Sequence, residues 1–155
     1  MSYTKTKQAL NQLVADLTHM HLTLHQIHWY MRGDGFLYYH PKMDEMMEDV
    51  FTQLDDVSER LITIDGEPYS SFGEYLEHSQ LPDQKGDWSS SIPEDLSRIA
   101  KALRVIIADY EAAIAAAQEE GDIASEDLAT GYLGDCQKTL WMIEAEGNRA
   151  PHLEP

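Results

Sequence analysis

The chain has 155 residues, a formal charge of −17, one cysteine and 43% hydrophobic residues. That length suffices for one domain with a genuine core, read here as 1–155, while the charge disfavours binding to phosphate backbones and favours cations. The lone Cys136 excludes an intrachain disulfide framework. No apolar run approaches the roughly 18 residues of a membrane-spanning helix, and the start MSYTKTKQAL has no apolar signal core, so a cytoplasmic protein is expected.

In chain order the pattern is helical almost throughout. From about 4 to 32, Leu10, Leu13, Val14, Leu17, Met20, Leu24 and Ile27 recur at steps of three and four, and Gly33 and Gly35 close the run. A second helix is expected over roughly 40–65, with Pro41 in its first turn and a stop at Gly66-Glu67-Pro68. Residues 69–90 are mixed and polar, a long crossover with a short helix near 71–78. Ser91-Ile92-Pro93-Glu94 has the form of a capping box. It opens a helix that carries Leu96, Ile99, Leu103, Ile106, Ile107, Tyr110 and Ile114 and runs to Gly121. A last helix, about 124–147, carries Leu128, Tyr132, Cys136, Leu140 and Ile143. Four long helices joined by a long middle connection predict an all-α, four-helix bundle of ferritin-like connectivity.

Five side chains suited to metal stand out: His28, His40, Asp44, Asp55 and Glu59. At about 100° per residue, His40, Asp44, Asp55 and Glu59 fall at roughly −40°, 0°, +20° and +60°, within one helical stripe. Along the axis they separate, because eleven residues from Asp44 to Asp55 span about 16 Å. The stripe therefore holds two half-sites, His40/Asp44 and Asp55/Glu59, with His28 ending the preceding helix across a short loop. A second copy laid antiparallel would bring each half-site onto the other's complement, and two-fold dimers are the commonest symmetric assembly. Imidazole and carboxylate donors suit Fe(II), Zn(II), Mn(II) or Co(II). Taken singly, each pair also reads as solvated surface charge. No E-x-x-H motif is present, so the chain lacks the means for a di-iron centre within one subunit.

The stretch His25-Gln26-Ile27-His28-Trp29-Tyr30-Met31-Arg32-Gly33, with Gly35-Phe36-Leu37 and His40-Pro41-Lys42-Met43-Asp44, closely resembles the Dps family of miniferritins. So do Leu54-Asp55-Asp56-Val57-Ser58-Glu59-Arg60-Leu61, Gly66-Glu67-Pro68, Glu120-Gly121-Asp122 through Asp127, and Trp141-Met142. The likeness spans nearly the whole chain and looks closest to the peroxide-resistance branch of streptococci and related lactic-acid bacteria. It implies a hollow homo-dodecamer that oxidises Fe(II), preferentially with hydrogen peroxide, and stores Fe(III) mineral. It further implies two irons per site, with His28, His40 and Asp44 from one subunit and Asp55 and Glu59 from its two-fold mate.

By the same resemblance, Trp29 intercepts stray oxidising equivalents; packing at the dimer seam is the plainer and compatible reading. Asp122 and Asp127 match acidic positions of three-fold iron-uptake pores, although negative side chains are favoured near a helix start in any case. Glu45, Glu48, Asp49 and Asp56 are candidates for the inner cavity wall, with the inward face left open. His21, His25 and His28 share a helix face able to bind metal, but His25 is read as support for the ligand helix. His19, His21, His78 and His152 are assigned no catalytic role. Met43, Met46 and Met47 read as packing, and Cys136 as buried and inert.

Two alternatives to an iron oxidase remain on this reading. One is a nucleoid DNA binder, opposed by the charge and by the absence of a Lys/Arg-rich tail. The other is a non-catalytic buffer for zinc or another divalent ion.

Overall fold

In a computed structural model that describes residues 2–154, the chain forms five helices. They are α1 (Thr4–Tyr30), α2 (Phe36–Thr63), α3 (Phe72–His78), α4 (Ile92–Glu120) and α5 (Ile123–Glu146), and no strand is present among the described residues. The short α1–α2 and α4–α5 connections make two antiparallel hairpins, each packed along its length, and α1 lies against α4. The crossover from α2 to α4 carries α3, which packs on α1. By contrast α2 and α5 barely touch, and a recess of about 330 Å³ lined by Met46, Gln53, Tyr132 and Cys136 lies between them.

The core is the stripe expected from periodicity. Leu10, Leu13, Leu17, Met20 and Leu24 of α1 meet Ile99, Ile106 and Tyr110 of α4 and Leu140 of α5, all essentially without solvent contact. Met43, Met46 and Met47 are buried in the same cluster. The Tyr110 hydroxyl donates to Gln53 Oε1 at 2.9 Å, so this buried phenol is satisfied within the bundle. Cys136 is buried, and burial pushes its thiol up to about 12, leaving little reactive thiolate.

Helix ends follow local chemistry. Ser91 and Glu94 form the expected reciprocal box, with Glu94 N–H donating to Ser91 Oγ at 3.3 Å and Ser91 N–H to Glu94 Oε2 at 2.7 Å. Ser71 caps α3 and Asp122 caps α5 in the same sense. After α2 the Gly66 N–H returns to the Leu61 carbonyl at 2.8 Å, and a Cβ on Gly66 would lie only 2.3 Å from Leu61.

Two boundaries differ from expectation. α1 stops at Tyr30 rather than near 32, and α2 begins at Phe36 rather than near 40. Pro41 therefore stands inside α2, in its second turn, and not in the first. The turn is opened by Gly35, whose φ of 93° is left-handed and whose carbonyl accepts from Tyr38 and Tyr39. A proline six residues in removes only the N–H that would reach the Leu37 carbonyl, on a turn whose side chain is 87% exposed, where water can satisfy that oxygen. Starting early places His40 a full turn inside the helix, facing the end of α1.

Candidate metal centre

The ends of α1 and α2 bring His28 and His40 face to face. Their rings stack with centroids 3.7 Å apart and planes 13° from parallel. His28 Nδ1 lies 2.8 Å from the His40 carbonyl, and His40 Nδ1 lies 2.9 Å from the His28 carbonyl. A carbonyl can only accept, so each Nδ1 carries the proton and donates. In the neutral imidazole this arrangement turns the Nε2 lone pair of each ring away from the carbonyls, the form in which imidazole binds a metal. Phe36, the first residue of α2, stacks on His40 with centroids 4.7 Å apart.

Asp44, one turn along α2, places Oδ1 3.7 Å from His28 Nε2. Thus the structure gathers His28, His40 and Asp44 at one corner of the protomer, the two rings half-buried and the carboxylate exposed. Asp55 and Glu59 are exposed on the same continuous helix, about 16 Å further along its axis from Asp44 to Asp55. His28, His40 and Asp44 do not close into a metal site within the chain, nor does any other group of three or more His, Cys, Asp or Glu side chains among the described residues.

The neighbouring aromatic residues continue along α1. Trp29 is 55% exposed and lies against His25 with centroids 3.7 Å apart and planes tilted by 32°, and His25 lies 6.1 Å from His28. His21 stands edge-on to His25 at 6.1 Å, and burial followed by the charge of His25 depresses its proton affinity. Of the other histidines, His19 Nδ1 meets Ser79 Oγ at 2.7 Å and His78 stacks on Tyr69. His152 offers only its carbonyl, to Arg104.

The acidic residues near the α4–α5 turn divide sharply. Asp122 is buried: its Oδ1 accepts from Arg60 Nη2 at 2.6 Å and from Ser125 N–H at 3.1 Å, and its Oδ2 accepts from Ser125 Oγ at 2.6 Å. Arg60 Nε also donates to Ser125 Oγ at 2.9 Å. Asp127, by contrast, is exposed on α5. Arg60 was not singled out from sequence, although a basic residue directly after Glu59 in the last turn of α2 is a usable signal. On α2, Glu48 and Asp49 are exposed, Glu45 pairs with Lys42 at 2.9 Å, and Asp56 accepts from the Tyr132 hydroxyl.

Four long helices, a helical crossover and a histidine–carboxylate corner at the end of one hairpin define a ferritin-like all-α protein. The model of the ferritin-like domain family matches residues 7–151. A protein of Streptococcus suis (strain P1/7) called "DNA protection during starvation protein" is 43% identical over 98% of this chain and 88% of its own length. The crystal structure of Dps from Listeria monocytogenes superposes with a TM-score of 0.92 at 32% identity, covering 96% of each chain. That of a Vibrio cholerae Dps, described as a member of a broad superfamily of ferritin-like diiron-carboxylate proteins, gives 0.88 at 25% identity over 94% of this chain and 90% of its own. The chain belongs to the Dps family of ferritin-like proteins.

Proposed function

We propose that this protein is a ferroxidase and iron store that oxidises Fe(II), preferably with hydrogen peroxide, at sites shared between two subunits of a hollow dodecamer. The observation that supports this is the incomplete corner. His28 and His40 face each other beside Asp44, yet among the described residues these side chains do not close into a metal site within one chain. Positions 44 and 55 sum to 99, as do 40 and 59. One dyad crossing α2 between Asp49 and Val50 therefore sets Asp44 against Asp55 and His40 against Glu59 at once.

The donor set fits iron as substrate: carboxylates favour the ferric product, and imidazoles accept the ferrous ion. In this reading Asp55, Glu59 and the other subunit's imidazole at position 28 bind one iron tightly. His40 and Asp44 bind a second, with Glu59 between them. Two Fe(II) held together would give two electrons to one peroxide, which with two protons from solvent becomes two waters and leaves two Fe(III), without the one-electron step that releases hydroxyl radical. Zinc or another divalent ion in the same donors without turnover is the competing chemistry. Anomalous scattering from an Fe(II)-soaked crystal decides the architecture. Metal bridging His28 and Asp55 of different chains supports the proposal, and metal held wholly by one chain overturns it.

Trp29, exposed and packed against His25 beside this corner, is assigned the interception of stray oxidising equivalents. Trp29→Phe is expected to leave the rate of Fe(II) oxidation unchanged and to raise spin-trapped hydroxyl radical. An unaltered spin-adduct yield would return Trp29 to packing alone. Asp127, with Asp122, is assigned to an iron-uptake pore.

DNA binding is the second reading, and the formal charge of −17 per chain opposes it. No helix among the described residues is long and apolar enough to cross a membrane. In a gel-shift titration the assembled protein is expected to leave duplex DNA unretarded at moderate salt. Retardation that survives moderate salt would favour the nucleoid role.

A further inference from the structure

Two carboxyl groups sit where the apolar faces of α1 and α4 meet, far in sequence from the metal corner. Asp16 lies between Val14 and Leu17 and has no solvent contact, and Asp109 lies between Ile107 and Tyr110 at 6% exposure. Both meet the crossover at Gln80, whose Nε2 donates to Asp16 Oδ2 and to Asp109 Oδ1, each at 2.8 Å. Asp16 also accepts from Gln12 Nε2 at 2.9 Å, from Gln80 N–H at 2.7 Å and from Ser79 Oγ at 3.0 Å. It is therefore well satisfied as an anion.

Asp109 is not. Beyond the shared Gln80 amide it has no donor, and its Oδ2 is buried without a partner. No Lys or Arg is among the groups that act on either carboxyl. Two carboxylates this close and this buried cannot both stay ionised, and without a cation only a proton can relieve them. A hydrogen on Asp109 Oδ2 turns the orphaned acceptor into a donor to Asp16. Burial first, then the bond to Asp16 and its charge, push Asp109 up to about 8. Burial acts upward on Asp16 as well, but the bonds from Asp109, Gln12 and Gln80 outweigh it and hold that group below the usual range.

We propose that Asp16 and Asp109 share a single proton, and that this proton is a latch fastening the crossover at Ser79 and Gln80 to α1 and α4. The groups around it are few. α1 contributes Asp16, Gln12 and His19; α4 contributes Asp109 and the adjoining Tyr110, which is bonded to Gln53; the crossover contributes the uncharged Ser79 and Gln80. His19 also supplies the route for exchange. It lines a recess of about 450 Å³ together with His21, His25 and Asp83, and its Nδ1 meets the same Ser79 Oγ that donates to Asp16. Immediately before the latch comes α3, whose Phe72 and Leu76 stand exposed. Opening the latch frees the segment that holds that helix in place.

The sign of the pH dependence follows from a raised acid group. The folded chain keeps a proton on Asp109 that the unfolded chain gives up near the ordinary carboxyl value of 3.8. Stability therefore falls as pH rises from that value to about 8 and is level beyond it.

Hydrogen exchange of the Gln80 amide in the full-length assembled protein, corrected for the intrinsic effect of pH, reads the latch directly. Between pH 7 and one unit beyond the midpoint near pH 8, its protection is expected to fall by about tenfold. In Asp109→Asn, whose amide donates at every pH, protection is expected to stay constant. An infrared carbonyl band of a protonated buried carboxyl that titrates near pH 8, apart from that of Asp95, which burial raises only to about 6, is expected in the parent at pH 7 and absent in Asp109→Asn. Protection in the parent that does not change from pH 6 to 9, or the absence of that band, overturns the proposal. The infrared titration of the parent decides by itself if the variant does not fold.

Discussion

On the proposed function, Asp55→Ala and His28→Ala are each expected to lose most peroxide-dependent Fe(II) oxidation without disturbing assembly, and assemblies built from a mixture of the two variants are expected to recover part of it. Asp55 is exposed in the protomer, so its removal leaves no buried group unsatisfied. His28→Ala forfeits one hydrogen bond between α1 and α2, from His28 Nδ1 to the His40 carbonyl, worth about 1 kcal/mol, a loss the packed hairpin can bear. The recovery follows from the dyad. In a mixed dimer one site carries both lesions and the other carries neither. Random pairing makes half the dimers mixed, so about a quarter of all sites are intact. A site confined to one chain predicts no recovery at any mixing ratio. Activity of the mixture equal to that of the separate variants would therefore remove the shared-site proposal, even if both single variants are dead. Stopped-flow oxidation measured on coexpressed, tag-separated shells gives the answer.

The positions that the sequence revealed and those it concealed differ for a physical reason. The stripe of His40, Asp44, Asp55 and Glu59 depends only on helical pitch, and α2 runs unbroken from Phe36 to Thr63, so periodicity places those residues relative to one another. The ferritin-like fold and the capping box at Ser91 are legible in the same local way. The start of α2 is not. Gly35 opens it with no side-chain cap, and Pro41, a strong first-turn signal, points to the wrong boundary. The exchange of Nδ1–H bonds between His28 and His40 depends on how closely two helix ends approach, which no local pattern encodes. Asp16 and Asp109 did leave a trace, since each is an acidic residue at a core step of an otherwise apolar helix face. What the pattern could not supply was the partner, because Gln80 belongs to the crossover, the part of the chain without periodicity.

The two aspartates of the α4–α5 turn are expected to separate when substituted. Asp122→Ala removes the acceptor of Arg60 Nη2 and the N-cap of α5 together. The Asp122 side chain is 2% exposed and that of Arg60 23%. Breaking such a pair costs about 3 kcal/mol, which lowers Tm by roughly 6–12 °C in a domain of this size. Arg60 directly follows Glu59, so the freed guanidinium also loosens the last turn of α2 where that carboxylate stands. If the proposed pore holds, slower iron uptake in Asp122→Ala is expected to combine a pore effect with a structural one. Asp127→Asn separates them, because an exposed carboxylate on α5 changes stability by no more than about 0.5 kcal/mol. Its expected result is an unchanged Tm with slower Fe(II) uptake, and the deficit should shrink as added salt screens the field that draws cations toward the pore. Uptake at the parental rate in Asp127→Asn, with an intact Tm, would place the uptake route elsewhere and leave Asp122 as the anchor of the α4–α5 turn alone.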